Sequence, residues 1–336
     1  MRRLIFAFVA VAALAAAVAG FYYARVDEKF QAYGGSEQFV EIAPGTGSRG
    51  IGRALAAAGV VRDEWTFRLA VYLTGTGREL KAGEYRFAGP MSPKEVARTL
   101  ARGDVYLRPL TFPEGLSIRE MARLFESRAG GDAKAFVRAA EGADVIRPLD
   151  PKASDLEGYL FPETYNLPRH TDAHALVRQM AERFVVLFDA PRRAEAETRG
   201  LSVREVVTLA SLVEKETAKA EERPIVAAVY LNRLRIGMGL QCDPTVIYAL
   251  ERAGKYTGNL TRKDLQLDSP YNTYKHKGLP PGPINSPGLA ALQAAVNPTA
   301  GDWLYFVTTN PKTGETKFAT TYAEFLKYKN ELKSNQ

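Results

Sequence analysis

The sequence predicts an α+β protein with an N-terminal transmembrane helix, a small α+β module and a larger mixed α+β domain. Three observations lead to this prediction. An uncharged apolar run lies near the N-terminus, short β-type runs then alternate with capped helices, and a longer helix-rich region follows. With 336 residues, 46% of them apolar and 25% charged, the chain can form more than one hydrophobic core.

The apolar run at residues 4–24 is about as long as a bilayer-spanning helix requires. Arg2 and Arg3 precede it, so we expect a cytoplasmic N-terminus and a body in the periplasm or at the cell exterior. A cleaved signal peptide is the alternative, because the Ala-Val-Ala triplet at 17–19 resembles a cleavage site. The aromatic residues at 21–23 favour an uncleaved anchor, since such rings suit the membrane interface.

The net charge of +7 suits an anionic partner, such as nucleic acid, anionic lipid or a cell-wall polymer. An exported body does not meet nucleic acid, and the basic residues are scattered among acids. We therefore predict no nucleic-acid partner. The single cysteine, Cys242, excludes an intramolecular disulfide, so stability must come from packing.

Strands, turns and capped helices recur between residues 36 and 107. The run at 39–42 is typical of a strand, and a helix is expected to begin near Ser48. Ser92 with Glu95 three residues later is a capping box that begins another helix. This spacing predicts a small α+β module of about 70 residues, whose chemistry alone indicates scaffolding.

The larger unit is expected from residue 108 onward. Strand patterns return at 303–309 and 317–321, with a turn-rich segment at 310–314 between them. A closing helix is expected over 322–333. The other helical runs fall near residues 117–128, 133–141, 173–188, 202–218, 224–236 and 286–296. Ser117 with Glu120 and Ser202 with Glu205 are capping boxes that begin two of these helices.

Two acids, Glu214 and Glu216, lie one residue apart near the end of an apolar helix. At about 100° per residue, Lys215 falls opposite the apolar face and the acids fall on its two flanks. A partly desolvated carboxyl has a raised pKa, which suits a general acid. The spacing does not choose between the acids. The alternative is that both are solvated and pair with Lys219 or Arg223.

Two later segments carry polar side chains that suit a sugar. The segment 232–250 is expected to expose Gln241, Asp243 and Thr245 around a proline. The segment 269–288 is a long loop rich in Pro, Gly, Asn and Tyr, and such loops are usually functional or disordered. Aromatic faces and amide groups of this kind bind pyranose rings and their substituents.

Other reaction classes are disfavoured. As a nucleophile Cys242 needs a base, and the one histidine in the same region is His276. His170 and His174 have helical spacing without an evident third ligand, so we predict a surface pair and no metal site. The glycine-rich segment 44–52 lacks the lysine of a phosphate-binding loop, and the sequence has no Gly-x-Ser-x-Gly motif. We therefore predict no cofactor.

The chain resembles the endolytic murein transglycosylase, or YceG-like, family. Five elements occur in the family's order, namely Glu-Lys-Glu-Thr, Asn-Arg-Leu, Asp-Pro-Thr-Val, Tyr-Asn-Thr-Tyr and Gly-Leu-Pro-Pro-Gly. The resemblance spans nearly the whole chain. It implies a single-pass inner-membrane protein with a cytoplasmic N-terminus and anchor at 1–25, a LysM-like subdomain at 36–107, and a periplasmic catalytic domain at 108–336.

The resemblance also implies the site. The family's catalytic glutamate is the second acid of Glu-Lys-Glu-Thr, which is Glu216, so Glu214 becomes a supporting neighbour. Cys242 stands where a family member has threonine, which disfavours a nucleophilic cysteine. The candidates for binding sugar or for orienting Glu216 are Glu214, Asn232, Gln241, Asp243, Thr245, Tyr271, Asn272 and Tyr274.

The implied reaction cleaves the β-1,4 bond from N-acetylmuramic acid to N-acetylglucosamine within peptidoglycan glycan strands and leaves a 1,6-anhydro end. A role in wall assembly, termination of glycan elongation, and wall-synthesis proteins as partners follow as expectations. One alternative is a muramidase that uses Glu216 with Asp243 or Glu214. The other is a membrane-anchored glycan-binding or scaffold protein without catalysis.

Overall fold

The computed structural model describes residues 2–310 and 315–334 and shows a mixed α+β protein, as expected. The chain forms two compact units. The first contains the chain up to Pro109 together with Asn166–His170, and the second contains Leu110–Tyr165 and the chain from Thr171 onward. The turn-rich segment expected at 310–314 lies mostly outside the described residues, which leave out 311–314.

Helix α1, Arg2–Arg25, is the expected apolar helix. Its segment Ile5–Arg25 has 21 residues and a mean hydropathy of 2.3, so it is long and apolar enough to cross a bilayer. Phe6 and Phe8 are 73% and 75% exposed. A continuous apolar surface of this kind is unfavourable in water and fits a membrane anchor.

The rest of the first unit is built on an antiparallel pair of strands. Val40 of one strand lies opposite Tyr85 of the other, and Ile51, Phe67 and Leu100 are among the helical side chains buried in the same core. The elements in chain order are β1 (Gln38–Ile42), α2 (Ser48–Ala57), α3 (Glu64–Thr74), β2 (Gly83–Phe87) and α4 (Pro93–Arg102). Helix α3 was not predicted from the sequence.

The capping signals of this unit are confirmed. The side chains of Ser92 and Glu95 form the predicted capping box, and Pro93 is the first residue of α4. The segment before β1 is also attached to the unit. Phe30 pairs with Met91 through two backbone hydrogen bonds of 3.0 and 3.3 Å.

The second unit contains most of the predicted helices. Strands β3 (Arg108–Thr111) and β4 (Thr164–Leu167) pair with each other, and each has residues in both units. In the second unit a closing hairpin of β5 (Tyr305–Asn310) and β6 (Glu315–Ala319) precedes α13 (Tyr322–Ser334). The other helices are α5 (Ile118–Ala129), α6 (Ala133–Ala140), α7 (Ala173–Leu187), α8 (Ala190–Thr198), α9 (Val203–Glu216), α10 (Arg223–Arg235), α11 (Asp243–Arg252) and α12 (Leu289–Val296).

Helix α9 runs through the core of the second unit. Every residue from 206 to 213 is buried, and α10, α11 and α12 pack against this helix. The end of the long loop also packs on it: Ile284 N donates to the Ser211 hydroxyl at 3.1 Å, and Asn285 Nδ2 donates to Ser211 O at 2.7 Å. The loop at 269–288 therefore has an ordered, buried second half.

Candidate active site

The fold places Glu216 at the C-terminal end of α9. The helix begins after Ser202, which forms the predicted capping box with Glu205. It ends because Thr217 is extended, with φ −143° and ψ 134°, and the Thr217 hydroxyl donates a 2.8 Å hydrogen bond to Glu222. The chain turns at this point and returns as α10, so Glu216 can reach side chains of that helix.

The carboxyl of Glu216 is half-buried and hydrogen-bonded. Oε1 accepts a 2.8 Å hydrogen bond from the phenol of Tyr230 on α10. Burial raises the pKa of Glu216, hydrogen bonds from Tyr230 and Cys242 oppose this rise, and the negative charge of Asp243 adds to it. A carboxyl with a raised pKa retains its proton closer to neutral pH, as a general acid requires.

A buried cation, Arg233 of α10, interacts electrostatically with this carboxyl. Its Nε donates to Leu304 O at 2.7 Å, and its Nη1 donates to Leu240 O at 2.6 Å. Burial lowers the pKa of Arg233, whereas the charge of Glu216 acts in the opposite direction. Arg233 thus ties two segments to the site and favours the ionised form of Glu216 after proton transfer.

Glu214 has a different environment. Its Oε1 lies 2.7 Å from Nη2 of Arg223, and the exposed fractions of the two side chains are 6% and 9%. Its Oε2 accepts a 2.9 Å hydrogen bond from the backbone N of Gly288 at the start of α12. Burial raises the pKa of Glu214, while Gly288 and Arg223 oppose the rise. Glu214 is therefore not a solvated residue, and it joins α9, α10 and α12.

The structure brings Asp243 and Tyr274 to the neighbourhood of Glu216. The phenol of Tyr274 donates a 2.6 Å hydrogen bond to Oδ1 of Asp243, and both side chains are exposed. Burial, followed by the contact with Asp243, raises the pKa of Tyr274 well above its ordinary value, and the charge of Glu216 contributes. These exposed polar groups form a rim beside the half-buried acid.

Gln241 precedes this rim in an unusual conformation. Its φ is +50°, the one positive value at a non-glycine residue in the described ranges, and its backbone N donates to Thr273 O at 3.2 Å. Such a conformation costs free energy and persists when neighbouring contacts enforce it, often at functional sites. Its exposed side chain is placed beside Cys242.

Two other candidates, Asn232 and Asn272, use their side-chain amides inside the protein. Asn232 Nδ2 donates to Gly301 O at 2.8 Å and to Trp303 O at 3.0 Å. Asn272 is fully buried, and its Nδ2 donates to Leu265 O at 3.0 Å and Leu267 O at 2.8 Å. These contacts favour the orienting role over direct contact with sugar.

The exposure expected for Thr245 is wrong. Helix α11 begins at Asp243, with Pro244 in its first turn, so Thr245 faces inward and is fully buried. Its hydroxyl donates to Cys242 O at 2.7 Å. The Thr273 hydroxyl accepts a 2.9 Å hydrogen bond from the backbone N of Cys242. The threonines thus fix the turn that positions Cys242.

Tyr271 is directed to another cluster. Its ring centroid lies 5.0 Å from that of Tyr248, and the Arg252 guanidinium lies 5.7 Å from its centroid. Tyr248 in turn donates a 3.1 Å hydrogen bond to the buried acid Glu157. The groups that act electrostatically on Tyr271 belong to this second cluster, and Glu216 is not among the principal ones.

The remaining reactive residues do not form a second site with Cys242. Cys242 is 1% exposed, and burial raises its pKa well above the ordinary value, which disfavours a thiolate. His276 is exposed. His170 lies in the first unit, where its Nε2 is 2.7 Å from Oε1 of Glu41.

Sequence reasoning missed Tyr230 and Arg233. Both lie in α10 among apolar residues, and their contacts with the site depend on how α9 and α10 pack. A signal was nevertheless present, because a tyrosine or arginine on a buried helix needs a hydrogen-bond partner.

Comparisons with known proteins give one consistent family. The model of the YceG-like family matches residues 40–331. A Streptococcus pneumoniae protein named endolytic murein transglycosylase is 34% identical over 300 residues, which cover 80% of this chain and 53% of that protein. A Bacillus subtilis protein of the same name is 31% identical over 314 residues, which cover 88% and 85%. The chain spans about half the length of the pneumococcal relatives it matches.

A solved structure agrees with these matches. The crystal structure of a yceG-like protein from Listeria monocytogenes has 31% identity and a TM-score of 0.59, and the match covers 87% of this chain and 98% of that one. The family match extends over most of the chain, from the first strand to the last helix. The chain therefore belongs to the YceG-like family.

Proposed function

We propose that this protein is a lyase, an endolytic murein transglycosylase that cleaves peptidoglycan glycan strands. The name of the pneumococcal and Bacillus relatives supports the activity. The main structural support for the proposal is the half-buried carboxyl of Glu216. Burial raises its pKa, and its Oε1 accepts the hydrogen bond from Tyr230.

In the proposed reaction Glu216 acts first as an acid and then as a base. Its proton passes to the oxygen of the β-1,4 bond between N-acetylmuramic acid and N-acetylglucosamine, and the bond from that oxygen to the muramic C1 breaks. The resulting carboxylate removes the proton from the muramic 6-hydroxyl, whose oxygen bonds to C1 and closes a 1,6-anhydro ring. Glu216 is thereby protonated again, and no water is consumed.

The surroundings of Glu216 support a single acid. Hydrolases of glycosidic bonds typically need a second carboxylate to activate water or to form a covalent intermediate. Both carboxylate oxygens of Glu214 accept contacts from Arg223 and Gly288, which disfavours that residue. A muramidase would then have to use Asp243 as its second carboxylate. One oxygen of Asp243 accepts the hydrogen bond from Tyr274.

We propose two roles for the other predicted site residues. Gln241, Asp243 and Tyr274 are exposed and are the candidates for contact with the glycan. Asp243 and Tyr274 also interact electrostatically with Glu216. Asn232, Thr245 and Asn272 orient the segments that carry them, as their internal hydrogen bonds suggest. Tyr271 supports the loop from the neighbouring cluster.

The proposal includes a location and a domain division. An N-terminal anchor at 1–25 would cross the inner membrane once, with the N-terminus in the cytoplasm and the body in the periplasm. The module at 36–107, with its strand-helix-helix-strand order, would be the LysM-like subdomain, and 108–336 would be catalytic. Termination of glycan elongation during wall assembly, beside wall-synthesis proteins, is the proposed role.

The chemistry of the product tests this function. The full chain in detergent is incubated with purified glycan strands in ¹⁸O-labelled water, and the fragments are analysed by mass spectrometry. The lytic reaction gives internal cuts with 1,6-anhydro ends that contain no ¹⁸O. Reducing ends that carry ¹⁸O would indicate a muramidase. Glycan strands that stay intact would favour a binding or scaffold protein without catalysis.

A further inference from the structure

Helix α3 in the first unit has two apolar faces. One face, which includes Phe67 and Val71, is buried in the core of that unit. The other carries Trp65 and Tyr72, which are 56% and 82% exposed, with Leu73 41% exposed. Exposed positions i, i+7 and i+8 share one side of a helix, so an apolar stripe lies on the outside.

This stripe lies beside the end of α1. A groove of about 700 Å³ is lined by side chains from both helices, including Tyr22 and Tyr23 of α1 and Trp65 and Leu69 of α3. The stripe is thus continuous with the apolar surface of the helix proposed to cross the membrane. Water is a poor environment for both surfaces.

The first unit cannot move far from the end of α1. Val26, the residue after the helix, is fully buried, and its carbonyl accepts a 3.3 Å hydrogen bond from Lys94 N. Ala32 N donates to Gly59 O at 2.8 Å. If α1 spans the bilayer, this short attached segment holds the first unit at the lipid surface.

Arginine and lysine side chains lie close to the aromatic rings at this end of the first unit. The Arg25 guanidinium lies 3.9 Å from the ring centroid of Phe21, and the Arg68 guanidinium lies 4.8 Å from a ring of Trp65. Lys94 Nζ lies 6.0 Å from the ring centroid of Tyr23. Aromatic and basic side chains are enriched together at the headgroup level of membranes.

We propose that the outer face of α3, made of Trp65, Leu69, Tyr72 and Leu73, inserts into the interfacial layer of the lipid bilayer as a second membrane contact beside α1. This inference rests on the proposed membrane anchor. The apolar face meets the boundary between headgroups and acyl chains, and Arg68 meets the lipid phosphates. The contact fixes the first unit against the membrane as well as tethering it.

Tryptophan fluorescence in vesicles tests the proposal. The sequence has two tryptophans, Trp65 and Trp303, so the full chain with Trp303→Phe reports on Trp65 alone. It is reconstituted in vesicles whose lipids carry bromine at shallow or deep acyl positions. We expect a blue shift of the Trp65 emission and stronger quenching by shallow bromines.

The matched control places the reporter elsewhere on the same unit. Phe39 lies on β1 and is 38% exposed, and its ring centroid lies 5.0 Å from that of Tyr106. A chain with Trp65→Phe, Trp303→Phe and Phe39→Trp should show no bromine quenching and full quenching by aqueous iodide. Equal lipid quenching at both positions would overturn the proposal, because it would show no preference for the α3 face.

Flotation separates this inference from the anchor on which it rests. Protein that still floats with the vesicles after a wash in alkaline carbonate is anchored in the bilayer. If Trp65 is not quenched by bromolipids in those vesicles, the α3 contact alone is overturned. Protein that does not float with the vesicles overturns both the anchor and the α3 contact, and it leaves the test of glycan cleavage by the full chain in detergent unaffected.

Discussion

The phenol of Tyr230 donates a 2.8 Å hydrogen bond to Oε1 of Glu216. This contact joins the last residue of α9 to the middle of α10. It stabilises the ionised carboxyl, whereas burial stabilises the neutral form. The balance suits a residue that must release a proton and then accept another.

The first prediction concerns Tyr230→Phe. Loss of the donor removes a contact that lowers the pKa of Glu216, so the pKa rises further. The alkaline limb of the pH-rate profile should therefore move to higher pH. We also expect the cleavage rate to fall about 10- to 150-fold, since one hydrogen bond to a charged group is worth roughly 1.5–3 kcal/mol.

Tyr159→Phe is the matched control for this prediction. The Tyr159 phenol also donates to a carboxylate, Asp150, at 2.6 Å, but this pair makes no contact with Glu216. The control should lose stability and keep the pH profile of the natural protein. Equal profiles for Tyr230→Phe and the natural protein would remove Tyr230 from the proposed site.

The second prediction concerns Glu214→Gln. Arg223 would lose its principal ionic partner in a place where its side chain is 9% exposed, although Glu114 remains 3.3 Å away. Breaking a buried ion pair costs about 3–5 kcal/mol, and we expect the lower end because of Glu114. Urea unfolding followed by circular dichroism measures this loss.

The rate of glycan cleavage by Glu214→Gln, divided by the amount of folded protein, separates a structural role from a catalytic one. A structural Glu214 predicts that the folded Glu214→Gln protein still cleaves glycan. Unchanged stability with complete loss of cleavage would instead make Glu214 a participant in the reaction.

The third prediction concerns the pH dependence of stability through Glu157. Burial raises the pKa of Glu157 to about 8. Between about pH 4.5 and 8 the native state holds a proton that the unfolded chain releases, so this group lowers the free energy of unfolding by about 1.4 kcal/mol per pH unit as pH rises. Glu157→Gln should remove this slope.

The control for Glu157→Gln is Glu141→Gln. Glu141 is exposed, and it lines a surface cavity that Glu157 also lines. Unfolding curves at several pH values should superimpose for Glu141→Gln and the natural protein. A Glu157→Gln protein that loses stability with pH as steeply as the natural one would show that Glu157 is ionised in the fold.

Local signals predicted much of the fold. Ser92, Ser117 and Ser202 each mark a helix start through a capping box, and all three boxes are present. Helix α3 was missed because both of its faces are apolar, which obscures the helical period. Helix α8 was missed because it is mostly polar and only Ala196 is buried.

The site was harder to predict than the fold. The order of short motifs predicted Glu216 as the catalytic residue by resemblance, but a single sequence does not show which side chain faces it. Tyr230 is 14 residues away in sequence, and its contact depends on the turn between α9 and α10. Thr245 was wrongly expected to be exposed because Asp243 and Pro244 resemble a turn but begin α11.

The fourth prediction concerns Cys242. The position should support Glu216 by hydrogen bonding, so Cys242→Thr should keep most of the cleavage and Cys242→Val, which lacks a donor, should lose more. In the native protein the thiol should not react with a disulfide reagent until the chain unfolds, because Cys242 is 1% exposed. A fast-reacting thiol and an inactive Cys242→Thr protein would indicate a nucleophile.

The most direct measurement compares the rate of glycan cleavage by Glu216→Gln with that by Glu221→Gln, an exposed acid five positions away. Glutamine keeps the shape of the side chain but cannot cycle a proton. We expect Glu216→Gln to lose at least about 100-fold in rate, the contribution typical of general acid-base catalysis, while Glu221→Gln stays close to the natural rate. Internal anhydro ends formed at the natural rate by Glu216→Gln would contradict the role of this residue.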